Sequence, residues 1–537
     1  MAVANTVVQT ADGVVDGKRG RGGRRGTISW RGIPFAEPPV GKYRWRAPRP
    51  VEPWPGVREC HDYGYAPIQE KLFTARGAGR FQPRSEDCLT LNVFAPESAS
   101  TTPRPVLVFI YGGAYILGGT STPIYDGSYL ARARDVIVVT LNYRFGPFGF
   151  LDLSSYSTPE RQFDANPGLR DMVAGLEWVQ RNIAAFGGDP NRVTVFGESA
   201  GGSAVTALLA TPAAEGLFSG AIAQSPALDL AVGKDNADLF ADEFVRLLMD
   251  PTRRRGAERD EEPLDPETVA RVVDGAGPLD LLRTGNKMMG FARGAQTSDP
   301  MPFAPVADGD YLPLLPMEAA RLGRTHAVPT IIGNNRDEGE LFARFWNILP
   351  DAGTYLVGVD DQETVEELER LYPGRGDRVR LSADATFWIP TTMFAGYHSA
   401  HAPTYVYRYD YAPTLLKVGG IGATHATELF AVFGIYRDPI GAGLAAAGSW
   451  RSTKRITATI QGLWSWFARS GEPSPSWPRY TTDNRAVMVI DDPTRVEIDP
   501  DGVKRRAWER VHREVRAGVG RVPGAGITGG SGAGSRG

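Results

Sequence analysis

Residues Arg192 to Ala210 read RVTVFGESAGGSAVTALLA, which sets a glycine-flanked serine between an apolar run and an alanine-rich stretch. The apolar run reads as a buried strand and the alanine-rich stretch as a helix, so Gly197–Gly201 must turn the chain sharply from one to the other. Glycine is needed on both sides of the serine because such a turn leaves no room for a side chain. The turn holds the hydroxyl out over the sheet at the positive end of the helix. This is the strand-turn-helix setting of a nucleophile elbow, and it makes Ser199 the candidate nucleophile.

The rest of the chain offers the sheet and helices that such a turn requires. Val106–Ile110, Val136–Leu141, Val193–Phe196, Ala221–Ala223, Val328–Ile332 and Tyr405–Tyr409 are short and mostly apolar on both faces, as strands of a covered parallel sheet are. Leu169, Met172, Val173, Leu176, Val179, Ile183 and Phe186 recur at spacings of three and four and predict a helix over Leu169–Phe186. Strands alternating with helices indicate an α/β fold. The middle, from about Gly233 to Pro300, carries charge clusters such as RRRGAERDEE and reads as helical and peripheral. Thr453–Arg469 and Val503–Val515 have helical periodicity, and the glycine-rich residues 517–537 are expected to be disordered because they have little to bury.

Composition removes several function classes. Fifty-nine Lys and Arg against 62 Asp and Glu leave a net charge of −3, which offers nucleic acid no basic footprint. The basic run KRGRGGRRG at Lys18–Gly26 stands alone and reads as a solvated hairpin tip. With two cysteines, six histidines and no zinc-type spacing, neither a disulfide framework nor a metal site is expected. No apolar stretch approaches the ~20 residues of a membrane-spanning helix. The N-terminal residues lack the features of a secretory signal, so a cytoplasmic location is the expectation.

A serine hydroxyl needs a hydrogen-bonded base, normally histidine, itself oriented by a carboxylate, and behind an elbow of this kind the chain order is serine, acid, histidine. That order removes His61. His326 precedes the strand at Val328, and His398 and His401 precede the strand at Tyr405, which puts all three at the wrong end of the sheet. His512 lies in a charged helical stretch. His425, in the glycine-bearing loop GGIGATHATELF, remains as the base. For the acid, Asp337, Glu338 and Glu340 in NNRDEGE and Asp410 after the next strand are all open. Oxyanion donors are expected from the residue after the nucleophile, Ala200, and from the loop after an early strand, where Gly112, Gly113 and Ala114 leave backbone N–H groups unobstructed.

With these residues in place the chain resembles the type B carboxylesterase family of α/β-hydrolases. The likeness runs from about Thr6 to Trp508 and is carried by RGIPFAEPPVGKYRWRAP at Arg31–Pro48, EDCLTLNVFAP at Glu86–Pro96, FGGDPNRVTVFGESAGG at Phe186–Gly202 and FAPVADGDYLP at Phe303–Pro313. The resemblance implies an α/β-hydrolase fold: a large, mostly parallel sheet flanked by helices, in one catalytic domain over 1–516, with helical insertions at about 235–325 and 343–400 around the pocket. It implies Ser199 as nucleophile, Glu338 in RDEGELF as acid and His425 in THATELFAVFG as base, with an oxyanion hole from Gly113, Ala114 and Ala200. Glu198 and Ser225 match polar positions near these residues, and Glu198, Leu341 and Phe342 are expected to line the pocket.

The function so implied is serine carboxylesterase, acting on small to medium esters through an acyl-enzyme and needing no metal or organic cofactor. Alternatives are a lipase, a specialised natural-product or xenobiotic esterase, and a noncatalytic cholinesterase-like binding protein. Activity is expected to rise with pH near the free histidine pKa of ~6.5. The segment Gln69–Ser85 lacks the tryptophan with which cholinesterases hold a quaternary ammonium, so choline esters are poor candidates. Cys88 matches a family cysteine whose usual partner position is not cysteine here, and both Cys60 and Cys88 are expected to be free thiols. A monomer or weak homodimer with a small-molecule ester as its partner completes the expectation.

Overall fold

The structure is a computed structural model that describes residues 5–77, 79–228, 230–253, 262–294, 301–345, 362–374, 376–437, 443 and 448–519. Its centre is an eleven-stranded mixed sheet. In chain order the strands are β1 (Lys18–Arg19), β2 (Thr27–Pro34), β3 (Thr90–Pro96), β4 (Arg104–Ile110), β5 (Ile137–Leu141), β6 (Gly188–Glu198), β7 (Gly220–Gln224), β8 (Thr330–Asn335), β9 (Thr404–Tyr409), β10 (Ala486–Ile490) and β11 (Arg495–Ile498). Their order across the sheet is β11-β10-β9-β8-β7-β6-β4-β5-β3-β2-β1. From β5 to β10 all neighbours are parallel; β11 and the group β1 to β3 are antiparallel margins. The six strands read from the sequence are β4 to β9. The margins, and the parallel strand β10, are not among them; β2, TISWRGIP, mixes polar and apolar residues and pairs with β3, whereas β10, AVMVI, is apolar and fully buried.

The order of strands decides where the loops meet. β6 lies between β4 and β7, while β5 lies on the other side of β4, so the chain departs from β4 and β6 in opposite directions and leaves a crevice at their carboxyl ends. Register brings the strand ends level: Ile110 is opposite Gly197, Glu198 opposite Gln224, Gln224 opposite Gly333, and Asn335 opposite Tyr409. The segments after β4, β6, β7, β8 and β9 therefore emerge along one edge of the sheet.

The helix Pro167–Asn182, closed by a 3-10 turn at Ile183–Phe186, buries Leu169, Met172, Val173, Leu176 and Val179. The predicted C-terminal helices are Trp450–Ser470 and Gly502–Val519; the second runs three residues into the expected tail, and 520–537 lie outside the described residues. Helices also occupy Lys234–Met249, Pro266–Gly275 and Pro278–Gly294, and further on Gln362–Leu371, Asp377–Ala383 and Ile389–His398. The basic run forms the exposed connection of the β1–β2 hairpin. Cys60 and Cys88 are buried and unpaired, and burial pushes the Cys60 thiol up to about 12. Among the described residues no helix is long and apolar enough to cross a membrane.

Arg144 and Asp171 form a buried ion pair. Arg144 Nε and Nη2 donate to the two Asp171 oxygens at 2.8 and 2.7 Å, and the side chains are 3% and 0% exposed. Removing one partner leaves the other charge uncompensated in the interior. Asp171→Ala is therefore expected to lower stability by about 3 to 5 kcal/mol, read as an earlier urea midpoint; an unchanged midpoint would show that the pair does not support the fold.

Candidate active site

β6 ends at Glu198, Ser199 adopts φ 60° and ψ −127°, and the helix Ala200–Leu209 starts at the next residue. A non-glycine residue in that region of backbone space is strained and persists only where its surroundings dictate it. Here they do. Ser199 N–H donates to Gln224 O at 2.9 Å, and Ser199 O accepts from Ser203 N–H at 2.9 Å. A Cβ on Gly197 would lie 2.3 Å from Gly201 O, and one on Gly201 would lie 2.1 Å from Ile110 O, so side chains at either position would collide with backbone. The predicted turn and its glycines are thus present. Ser199 is half-buried, and among the described residues its hydroxyl has no hydrogen-bond partner.

The loop after β9 carries His425 to the elbow. His425 Nδ1 is 2.5 Å from Glu338 Oε2, while Nε2 faces Oε1 of Glu198, the residue preceding Ser199, at 3.1 Å. That second approach lacks the alignment of a hydrogen bond, and neither atom has another partner. Glu338 Oε1 accepts from Asn335 N–H and from the Ser225 hydroxyl, both at 2.6 Å, so the carboxylate is fixed by β8 and by the segment after β7. The other carboxylates left open by spacing are engaged elsewhere. Asp337 Oδ2 accepts from Ala423 N–H, Glu340 lies 3.6 Å from Arg344, and Asp410 pairs with Arg408 at 2.7 Å.

The remaining histidines also lie away from the elbow. His326 bonds Thr211 O, and His398 and His401 share the Thr325 hydroxyl, on the side from which β8 and β9 begin. His61 is beside Asp16, and the side chain of His512 lies outside the described residues.

A third buried carboxylate, Glu428, was not singled out by sequence reasoning. It is 0% exposed and accepts from Asn335 Nδ2 at 2.5 Å and from Gln224 Nε2 at 3.2 Å. The available signal was a glutamate in the otherwise apolar run ELFAVF, three residues after His425. Burial raises the Glu428 carboxyl, and the charge of Glu338 raises it further. Burial likewise raises Glu198; the His425 charge opposes this, and those of Glu428 and Glu338 reinforce it. For His425 burial disfavours the imidazolium, but the charges of Glu198 and Glu338 and the Glu338 hydrogen bond outweigh it. The Glu198–His425 contact therefore retains a proton to higher pH than an isolated imidazole. Titration near ~6.5, expected from the residue type alone, is corrected upward by these buried anions.

The loop after β4 closes the crevice on the other side. Gly112 is so near the elbow that its Cβ would lie 2.8 Å from Ser199 Cβ. Gly113, Ala114 and Tyr115 follow with φ of 115°, 51° and 56°. Among the described residues none accepts a hydrogen bond from the N–H of Gly113, Ala114 or Ala200. Phe342 is buried with its ring centre 4.7 Å from that of His425, and Leu341 is half-buried, its N–H bonded to Thr424 Oγ1. Among the described residues there is no cluster of His, Cys, Asp and Glu able to hold a metal ion.

The family model described as the carboxylesterase family matches residues 4–370 and 374–508. The chain is 38% identical over 514 residues to the para-nitrobenzyl esterase of Bacillus subtilis, covering 94% of this chain and 98% of that one. It is 34% identical to the fumonisin B1 esterase of Sphingopyxis macrogoltabida, covering 88% of this chain and 84% of the relative. A solved structure of a PNB esterase superposes with a TM-score of 0.81 at 36% identity, over 94% of this chain and 99% of that chain.

The electrostatics of the site are open to direct titration. In histidine-labelled protein the His425 resonances are expected to titrate above ~6.5, and Glu198→Gln, which removes one of the anions, should move that titration downward. An upward shift or no shift in the variant would contradict the coupling.

Proposed function

Given that this chain belongs to the carboxylesterase family and is a carboxylic ester hydrolase with an α/β-hydrolase fold, we propose that Ser199, His425 and Glu338 are its nucleophile, base and acid. The observation that carries this assignment is the 2.5 Å contact of Glu338 with His425 Nδ1, which leaves Nε2 directed at the elbow beside Ser199. His425 takes the Ser199 proton as Oγ attacks the ester carbonyl carbon. Glu338 steadies the imidazolium, and the N–H groups of Gly113, Ala114 and Ala200 receive the negative charge developing on the carbonyl oxygen. The alcohol leaves with the proton from His425. Water then repeats the sequence on the acyl-enzyme and releases the acid.

Glu198 lies against the same imidazole and, with Glu338, raises the pH at which it becomes a free base. We read residues 1–516 as one catalytic domain in which helical insertions at about 235–325 and 343–400 surround the pocket. The substrates proposed are small to medium esters, with a cytoplasmic location and a monomer or weak homodimer. Likeness to a fumonisin B1 esterase favours a second reading, a specialised natural-product esterase on the same chemistry.

Ser199→Ala tests the assignment. The variant is expected to fold like the parent and to lose about 10⁴-fold or more in kcat on an aryl ester. Turnover at the parent rate would remove Ser199 from the mechanism.

A further inference from the structure

Among the described residues, the phenyl rings of Phe342 and Phe387 meet the His425 imidazole. Phe342, in the helix Gly339–Phe345, and Phe387 have ring centres 4.7 and 5.0 Å from that of His425. The phenyls are parallel within 8° and 6.1 Å apart, so the imidazole sits in the notch between them. With Ala227 they form a small apolar cluster separate from the main core, and Leu230 packs against it.

Phe387 reaches this place through an irregularity. Asp384–Trp388 is a π-helical segment between the helices Asp377–Ala383 and Ile389–His398. A π turn resets the direction of the side chains that follow it, and such turns recur at functional sites. The segment is anchored at its start, where Asp384 accepts from the Tyr372 hydroxyl at 2.7 Å and from Lys504 Nζ at 3.2 Å. Just beyond, Trp388 Nε1 and Thr391 Oγ1 are buried and have no hydrogen-bond partner among the described residues, an unfavourable state that the local geometry nonetheless maintains.

Gly339, directly after Glu338, serves the same contact. A Cβ there would lie 2.6 Å from Val379 Cγ1 and 2.9 Å from Val379 O, so only glycine lets the two helices approach closely enough to bring Phe342 and Phe387 together.

We propose that Phe342 and Phe387 are positioning residues for His425, fixing its ring and stabilising the imidazolium formed when Ser199 gives up its proton. This rests on His425 being the base. Both ring centres lie within the ~6 Å at which a cation gains from an aromatic quadrupole. Neutral imidazole gains less, so the interaction strengthens as the transition state is reached and acts on kcat more than on KM. The charged groups acting on the imidazole are Glu198, Glu338 and Glu428, and none of them is altered by substitution at Phe342 or Phe387.

The test compares Phe387→Leu, Phe387→Tyr, Phe342→Leu and Ser199→Ala on an aryl ester at the alkaline plateau, with thermal melts for each. Phe387→Leu and Phe342→Leu are expected to lower kcat about fivefold with KM changed less than about twofold, and Phe387→Tyr to keep most of the parent kcat. Phe342→Leu, on a different helix, carries the test if Phe387→Leu does not fold. Leucine variants that retain parental kcat, or that change KM alone, would overturn the proposal while an inactive Ser199→Ala leaves the proposed function standing. A fully active Ser199→Ala would overturn both.

Discussion

Ser199 can hold its strained backbone only because the main chains around it nearly touch. Gly201 lies against Ile110 O, Gly197 against Gly201 O, Gly202 against Gln224 O and Gly112 against Glu198 O, each so closely that a Cβ would fall within 2.5 Å of a backbone oxygen. Those contacts tie the elbow to the ends of β4 and β7, the two strands that flank β6. The sheet order and the turn are thus one constraint: the turn needs those neighbours, and the neighbours leave the crevice into which the turn projects. The loops that bring Glu338 and His425 grow from the next two strands along the same edge.

Around this turn the chain buries Glu198, Glu338, Glu428 and His425, an arrangement that would be costly without fixed partners. Glu338 has a backbone N–H, a serine hydroxyl and the imidazole. Glu428 has two side-chain amides. Among the described residues Glu198 Oε1 has no hydrogen-bond partner, and the His425 imidazole approaches it at 3.1 Å. The N–H groups of Gly113, Ala114 and Ala200, proposed as the oxyanion donors, have no hydrogen-bond acceptor among the described residues.

The elbow was legible in the sequence because its requirement is local: a serine with glycines on either side, a strand before and a helix after. Six of the seven parallel strands were legible for a related reason, since burial on both faces leaves a continuous apolar run; the seventh, β10, carries the same pattern in AVMVI and was not read. Glu338 was not separable by spacing from Asp337, Glu340 and Asp410, because what distinguishes it is the tertiary approach of Asn335 N–H, Ser225 and His425. Family resemblance supplied what spacing could not. Glu428 and Phe387 lay beyond both readings. The burial of Glu428 depends on amides from β7 and β8, and the direction of Phe387 depends on a π turn that leaves no periodic trace. The upward direction of the imidazole pKa has the same origin: a residue type carries its ordinary value, and the surrounding anions are a property of the folded chain.

The claim on which the account rests is that hydrolysis passes through an acyl group on the Ser199 oxygen. Rapid acid quench during turnover of a slowly deacylated ester, followed by intact-mass and peptide-mass measurement, tests it most directly. The account predicts a stoichiometric mass increase equal to the acyl group, located on the peptide containing Ser199. Full turnover with no adduct at any quench time, or an adduct on another residue, would contradict it.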